Sequence, residues 1–131
     1  MISQPLTDIK SFEDLECWKK ARELREFIRP ILSSFPTDEK YRLIDQIIRA
    51  SRSTTNNIAE GYGRFHYQEN IQFCRISRGS LFELIDHFII AFEEGIISQK
   101  TLTDIKEKIN RCLAILNGYI NYLRKAKTVN H

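Results

Sequence analysis

Leu102, Ile105, Ile109, Cys112, Leu116, Tyr119 and Leu123 follow one another at alternating steps of three and four residues over three heptads. An apolar residue every 3.5 positions lays a continuous stripe along a helix, and that stripe must be covered by other helices. The spacing predicts a helix over about 98–125 with Ser98 as its N-cap. Three further amphipathic segments precede it. Ser11 and Asp14 read as a capping box, and Leu15, Trp18, Ala21, Leu24, Ile28 and Ile31 recur at helical spacing. They predict a first helix over about 13–34, its last turn loosened by Pro30. Pro36 then interrupts, Thr37 reads as the next N-cap, and a second helix over about 38–60 ends at Gly61 and Gly63. A third helix, about 67–94, carries two apolar stripes: Ile71, Cys74, Leu81, Ile85, Phe88 and Phe92, and beside them Phe73, Ser80, Leu84 and Ala91. That arc is wider than one neighbour needs, so Phe73, Leu84 or neighbouring residues are expected to face another subunit. Gly79 and Ser80 are expected to admit a second backbone, and Gly95 to end the helix. Short connections force sequential helices to run antiparallel. The expected fold is all-α, a left-handed up-down-up-down four-helix bundle, in one domain over 1–131.

Composition narrows the function classes. No apolar run reaches the roughly 20 residues that cross a bilayer. MISQPLTDIK lacks the basic segment and apolar stretch of a secretory leader, so a cytoplasmic protein without a membrane partner is expected. Cys17, Cys74 and Cys112 are too far apart for a zinc site or a disulfide framework and read as small buried hydrophobes. The chain has no phosphate-binding loop, nucleophile elbow or H-E-x-x-H. Glu83 and His87 stand four apart, with no second pair to make a di-iron site. No catalytic residue, metal or cofactor is expected.

The net charge of +3 is modest, but its distribution is uneven. Between Lys40 and Arg78, seven Lys/Arg face three carboxylates, and Arg124, Lys125 and Lys127 form a second basic group. On the second helix Arg42, Gln46, Arg49, Ser53, Asn56, Asn57, Glu60 and Arg64 fall in one stripe. Such a stripe can contact phosphates and bases, or close a polar network between helices or subunits. Arg49, Asn57, Glu60, Ser80 and Glu83 are assigned to the network, with Glu60 pairing Arg49, Arg64 or Arg75. Arg52, Arg64, Arg75 and Arg78 are the better candidates for RNA, with Lys19, Lys20, Arg22 and Arg25 as a second patch. A merely solvated helix face is the competing reading. It is stronger for the second patch, where Glu16, Glu23 and Glu26 stand within pairing distance along the helix. Tyr62, Phe65, His66 and Tyr67 surround Arg64. They either stack on unpaired bases or plug the end of the bundle.

FEDLECWKKARELR at Phe12–Arg25, FPTDEKYRLIDQIIRASRSTTNNIAEGYGR at Phe35–Arg64 and GSLFEL at Gly79–Leu84 resemble a bacterial four-helix-bundle family. Its members are often encoded in intervening sequences of 23S ribosomal RNA genes. The similarity runs from about Phe12 to Leu123. Thr54 and Thr55 stand where apolar residues or proline are common in the family. The resemblance implies a ring-shaped homopentamer with a basic surface. It also implies kinship with the accessory proteins of diversity-generating retroelements, which bind nucleic acid and a reverse transcriptase. The expected function is therefore non-enzymatic association with ribosomal or other structured RNA through basic helix surfaces. The alternative is a protein-interaction scaffold or accessory subunit, for example of a reverse transcriptase.

Overall fold

The computed structural model of the chain describes residues 9–129; the first eight residues, part of the segment examined for a leader, lie outside them. Four helices carry the fold: α1 (Glu16–Leu32), α2 (Leu43–Tyr62), α3 (Tyr67–Glu93) and α4 (Gln99–Val129), with no strand among the described residues. α1 packs on α2 and α4, and α3 packs on α2 and α4, so each helix lies against its neighbours in sequence and the bundle closes on itself. α2 and α3 run antiparallel, as their contacts show. Ser80 meets Ser53, Ser77 Oγ donates to the Thr54 carbonyl at 2.8 Å, and Gly61 lies against Asn70.

The heptad residues of α4 do close the core. Ile105, Ile109 and Leu116 are essentially inaccessible, as are Ile28, Ile47, Ile58, Ile71, Leu84 and Phe88 from the other helices. Each such side chain contributes about 1.5–3 kcal/mol by leaving water. Tyr119, half-buried, accepts a hydrogen bond from Asn70 Nδ2 at 3.1 Å. Thr54 and Thr55 are buried because their hydroxyls are satisfied by the preceding turn. Thr54 donates to the Ser51 carbonyl at 2.6 Å, and Thr55 donates to Arg52 O while accepting from Arg25 at 2.7 Å.

Several helix ends differ from expectation. The Ser11–Asp14 capping box forms, with Ser11 Oγ accepting from Glu13 N–H at 3.1 Å and Asp14 Oδ2 accepting from Ser11 N–H at 3.3 Å. It caps a single 3-10 turn, Phe12–Asp14, and α1 begins only after an extended Leu15. α1 stops at Leu32 rather than 34. The hydroxyls of Ser33 and Ser34 bond the Pro30 and Ile31 carbonyls at 2.6 and 2.7 Å, taking carbonyls the helix leaves open. α2 starts at Leu43 rather than 38, because Thr37–Glu39 forms its own 3-10 turn and Arg42 is not helical. Glu39 Oε2, not Thr37, accepts the Leu43 N–H at 3.2 Å.

Gly61 does not end α2. It is buried within the helix, where a Cβ would lie 2.6 Å from Asn70 Oδ1 and 2.9 Å from Phe73 Cβ, so its role is the close approach of α3. The left-handed residue in the α2–α3 connection is instead Phe65, at φ 61°. Gly95, at φ 76°, does end α3, with Ile96 N–H to Ala91 O at 2.8 Å and Gly95 N–H to Phe92 O at 3.0 Å. Ser98 caps α4 by accepting from Thr101 N–H at 3.1 Å. Leu84 does not face another subunit: it is wholly inside its own bundle. Of the pair expected to admit a second backbone, Ser80 meets Ser53 of α2, while Gly79 has open space within the chain. Phe73 is half-buried with the Arg64 guanidinium 5.0 Å above its ring.

Candidate nucleic-acid interface

Where α3 begins and α4 ends, the two helices border a shallow basic groove. Gln68, Ile71 and Arg75 line one wall, and Arg124, Lys127 and Thr128 the other. Steps of three and four residues keep each set on one helix face. Lys127 Nζ donates to Gln68 Oε1 across the groove, and Thr128 Oγ1 donates to the Arg124 carbonyl at 3.0 Å. Its volume of about 240 Å³ is large enough for a phosphate group. Among the described residues no carboxylate lies within ion-pair distance of Arg75, Arg124 or Lys127. Arg78, three residues along α3 from Arg75, reaches Asn117 Oδ1 on α4 at 2.9 Å.

The other sequence candidates are differently placed. Lys19 and Lys20 pair with Glu16 and Glu23 at 3.9 and 3.2 Å, and Arg22 lies 6.0 Å from the Trp18 ring centroid. Arg64 pairs with Glu60 at 3.4 Å while covering Phe73. Arg52 is exposed on α2, which does not line the groove. The structure thus brings Arg75 together with Arg124 and Lys127, a grouping the sequence reading did not make. The signal was available in the phase of α4. Continued past Leu123, its helical period carries Arg124 and Lys127 to the flank of the apolar seam, beside α3.

The assigned polar network resolves into separate pieces. Asn57 Nδ2 donates to Ser53 O and Oγ, both at 2.9 Å, and Ser80 Oγ meets Ser53 Oγ at 2.8 Å, which joins α2 to α3. Arg49 instead pairs with Asp45 at 3.1 Å, and Glu83 with His87 at 3.0 Å. Glu60 takes Arg64 and neither Arg49 nor Arg75. These are pairs four residues apart on one helix, where geometry favours the near partner. The exposed Arg49–Asp45 and Arg64–Glu60 pairs contribute about 0.2–1 kcal/mol each.

In the α2–α3 connection Tyr62 and Tyr67 pack against the core, while Phe65 is 87% exposed. Ile76 and Phe82, 51% and 57% exposed, lie on the outer side of α3 around Gly79. The three cysteines are free and buried. Burial pushes the Cys74 thiol up to about 12 and Cys112 to about 11, and raises Cys17 and the Tyr119 phenol as well. Among the described residues no group of His, Cys, Asp and Glu is arranged to hold a metal ion, and no helix is long and apolar enough to cross a membrane. A search of curated proteins returns no match for the chain. Residues 13–118 match the model of the 23S rRNA-intervening sequence protein family, and the chain belongs to that family.

Proposed function

We propose that this protein is a non-enzymatic, oligomeric four-helix bundle that associates with structured RNA, ribosomal RNA among it, and that the α3–α4 groove is its phosphate-contacting surface. The observation that carries the reading is the convergence of Arg75, Arg124 and Lys127 on one groove, with no carboxylate among the described residues within ion-pair distance of them. Two guanidinium groups offer paired hydrogen bonds to phosphate oxygens, and an ammonium adds a point charge. A protomer of net charge +3 gains little from one such groove. A ring of protomers multiplies it, because the second and later contacts become intramolecular. Family membership supports the connection to ribosomal RNA, and three free thiols suit a reducing cytoplasm.

The test compares two triple variants on a labelled, folded 23S rRNA fragment at low salt. Arg75→Ala/Arg124→Ala/Lys127→Ala is expected to lose at least tenfold in affinity. Lys19→Ala/Lys20→Ala/Arg22→Ala, equal in charge removed, is expected to lose less than threefold. Equal losses would reduce the effect to net charge and remove the groove's special role.

A second reading is a protein-interaction scaffold or accessory subunit, for example of a reverse transcriptase. It is favoured by Ile76 and Phe82, apolar side chains left more than half exposed on α3. The two readings are compatible where that face joins copies of the chain.

A further inference from the structure

Phe65 combines two features that folding alone does not explain. It adopts φ 61°, a left-handed conformation that is costly for a bulky side chain and that glycine would adopt freely. The residue is 87% exposed, so among the described residues little packing compensates for that conformation. The residues around it behave otherwise. Tyr62 and Tyr67 turn into the core, and Arg64 is spent on Glu60 and the Phe73 ring. Strained, solvent-facing residues of this kind persist where the exposed group has a use.

Its position suggests the use. Phe65 precedes Gln68 by three residues, and Gln68 is the residue on α3 that Lys127 holds across the basic groove. The antiparallel topology puts the start of α3 and the end of α4 at the same end of the bundle, so Phe65 and the cations that have no carboxylate partner among the described residues share that end. An aromatic face beside a phosphate-binding groove is the arrangement that holds unpaired nucleotides. The ring takes a base, and the cations take the backbone that follows. In a continuous duplex no base face is free to stack on it.

We propose that Phe65 is a stacking platform for an unpaired base at the mouth of the α3–α4 groove, so that the ligand is RNA with a single-stranded segment rather than uninterrupted duplex. This rests on the RNA-binding reading above and specifies its substrate class.

The experiment measures binding of the full-length protein to a 12-nucleotide single-stranded RNA and to a 12-base-pair RNA duplex by fluorescence anisotropy. Wild-type protein, Phe65→Leu, Phe65→Trp and Arg75→Ala/Lys127→Ala are compared. Leu keeps the apolar character and the backbone demand but removes the ring. Phe65→Leu is expected to weaken single-strand binding by roughly 5- to 150-fold, the usual worth of one stacked base, with duplex binding unchanged. Phe65→Trp is expected to retain single-strand binding, with its added indole fluorescence quenched by the RNA. Single-strand binding undiminished in Phe65→Leu, while Arg75→Ala/Lys127→Ala loses it, would overturn the stacking role and leave the groove standing. Equal loss on single strand and duplex in Phe65→Leu would also overturn it. Absence of binding to either RNA by the wild-type protein would remove the groove reading itself, and the exposed ring would then be sought in a protein contact.

Discussion

A methyl group on Gly61 would lie 2.9 Å from Phe73 Cβ and 2.6 Å from Asn70 Oδ1, whereas one on Gly79 meets nothing within 4 Å. The first clash is with an atom fixed to the α3 backbone, so the helices must separate to relieve it. Gly61→Ala is therefore predicted to destabilise by about 1–3 kcal/mol, despite alanine's better helix propensity. Gly79→Ala is predicted to stabilise the folded chain by about 0.5–1 kcal/mol. Urea unfolding of both variants checks the opposite signs. The thiols make a second residue-level prediction. Burial raises the Cys17, Cys74 and Cys112 thiols above their ordinary value of 9.0, and the Tyr119 phenol above 10.0. The folded state thus holds these protons more tightly than the unfolded chain. Their stabilisation is fully present below about pH 9 and falls as pH rises above it. Unfolding free energies at pH 7, 9 and 10.5 should decline across that series. A flat or rising series would mean the thiols and the phenol are not held as the structure places them.

At the scale of the helices, α3 is the element with surface to spare. Ile76 and Phe82 flank Gly79 on its outer side, and a mid-helix glycine with open space around it gives nothing to the isolated fold. A face of this composition suits close contact with a second copy. Ile76→Lys/Phe82→Lys is predicted to convert an oligomer to monomer by light scattering at micromolar concentration, with the helical content unchanged. An unaltered mass would place the subunit contact elsewhere. The strongly periodic elements were legible in advance. The α4 seam, the Ser98 cap and the Gly95 stop all stand where the residue pattern put them, because each depends on neighbours in sequence. Choices between local alternatives were not legible. Thr37 is a good N-cap by type, but the turn from Thr37 to Glu39 gives that task to the Glu39 carboxylate. Gly61 looks like a helix stop until α3 is seen pressed against it. Leu84 looked surplus to one interface because its stripe faces the bundle interior, which a helical wheel alone cannot distinguish from a subunit contact.

For the whole molecule, charge is sorted by partner. The cations of α1 are mostly spent on neighbouring carboxylates, and Arg49 and Arg64 on their own helix. Among the described residues, the cations of the groove formed by α3 and the end of α4 have no carboxylate partner. Both groups were visible in the sequence as basic stretches. Their separation into paired and unpaired sets was not, since it follows from which helices the fold makes adjacent. Phosphates held in that groove displace counterions, so the salt dependence of binding counts them. The observed affinity for a folded 23S rRNA fragment should be determined between about 50 and 300 mM salt for the wild type and for Arg75→Ala/Arg124→Ala/Lys127→Ala. Each phosphate contact contributes roughly 0.7–0.9 to the slope of log K against log salt. The triple variant is predicted to bind more weakly, with a slope shallower by about 2–3. Parallel lines for the two proteins would contradict the assignment and place the phosphate contacts elsewhere on the bundle.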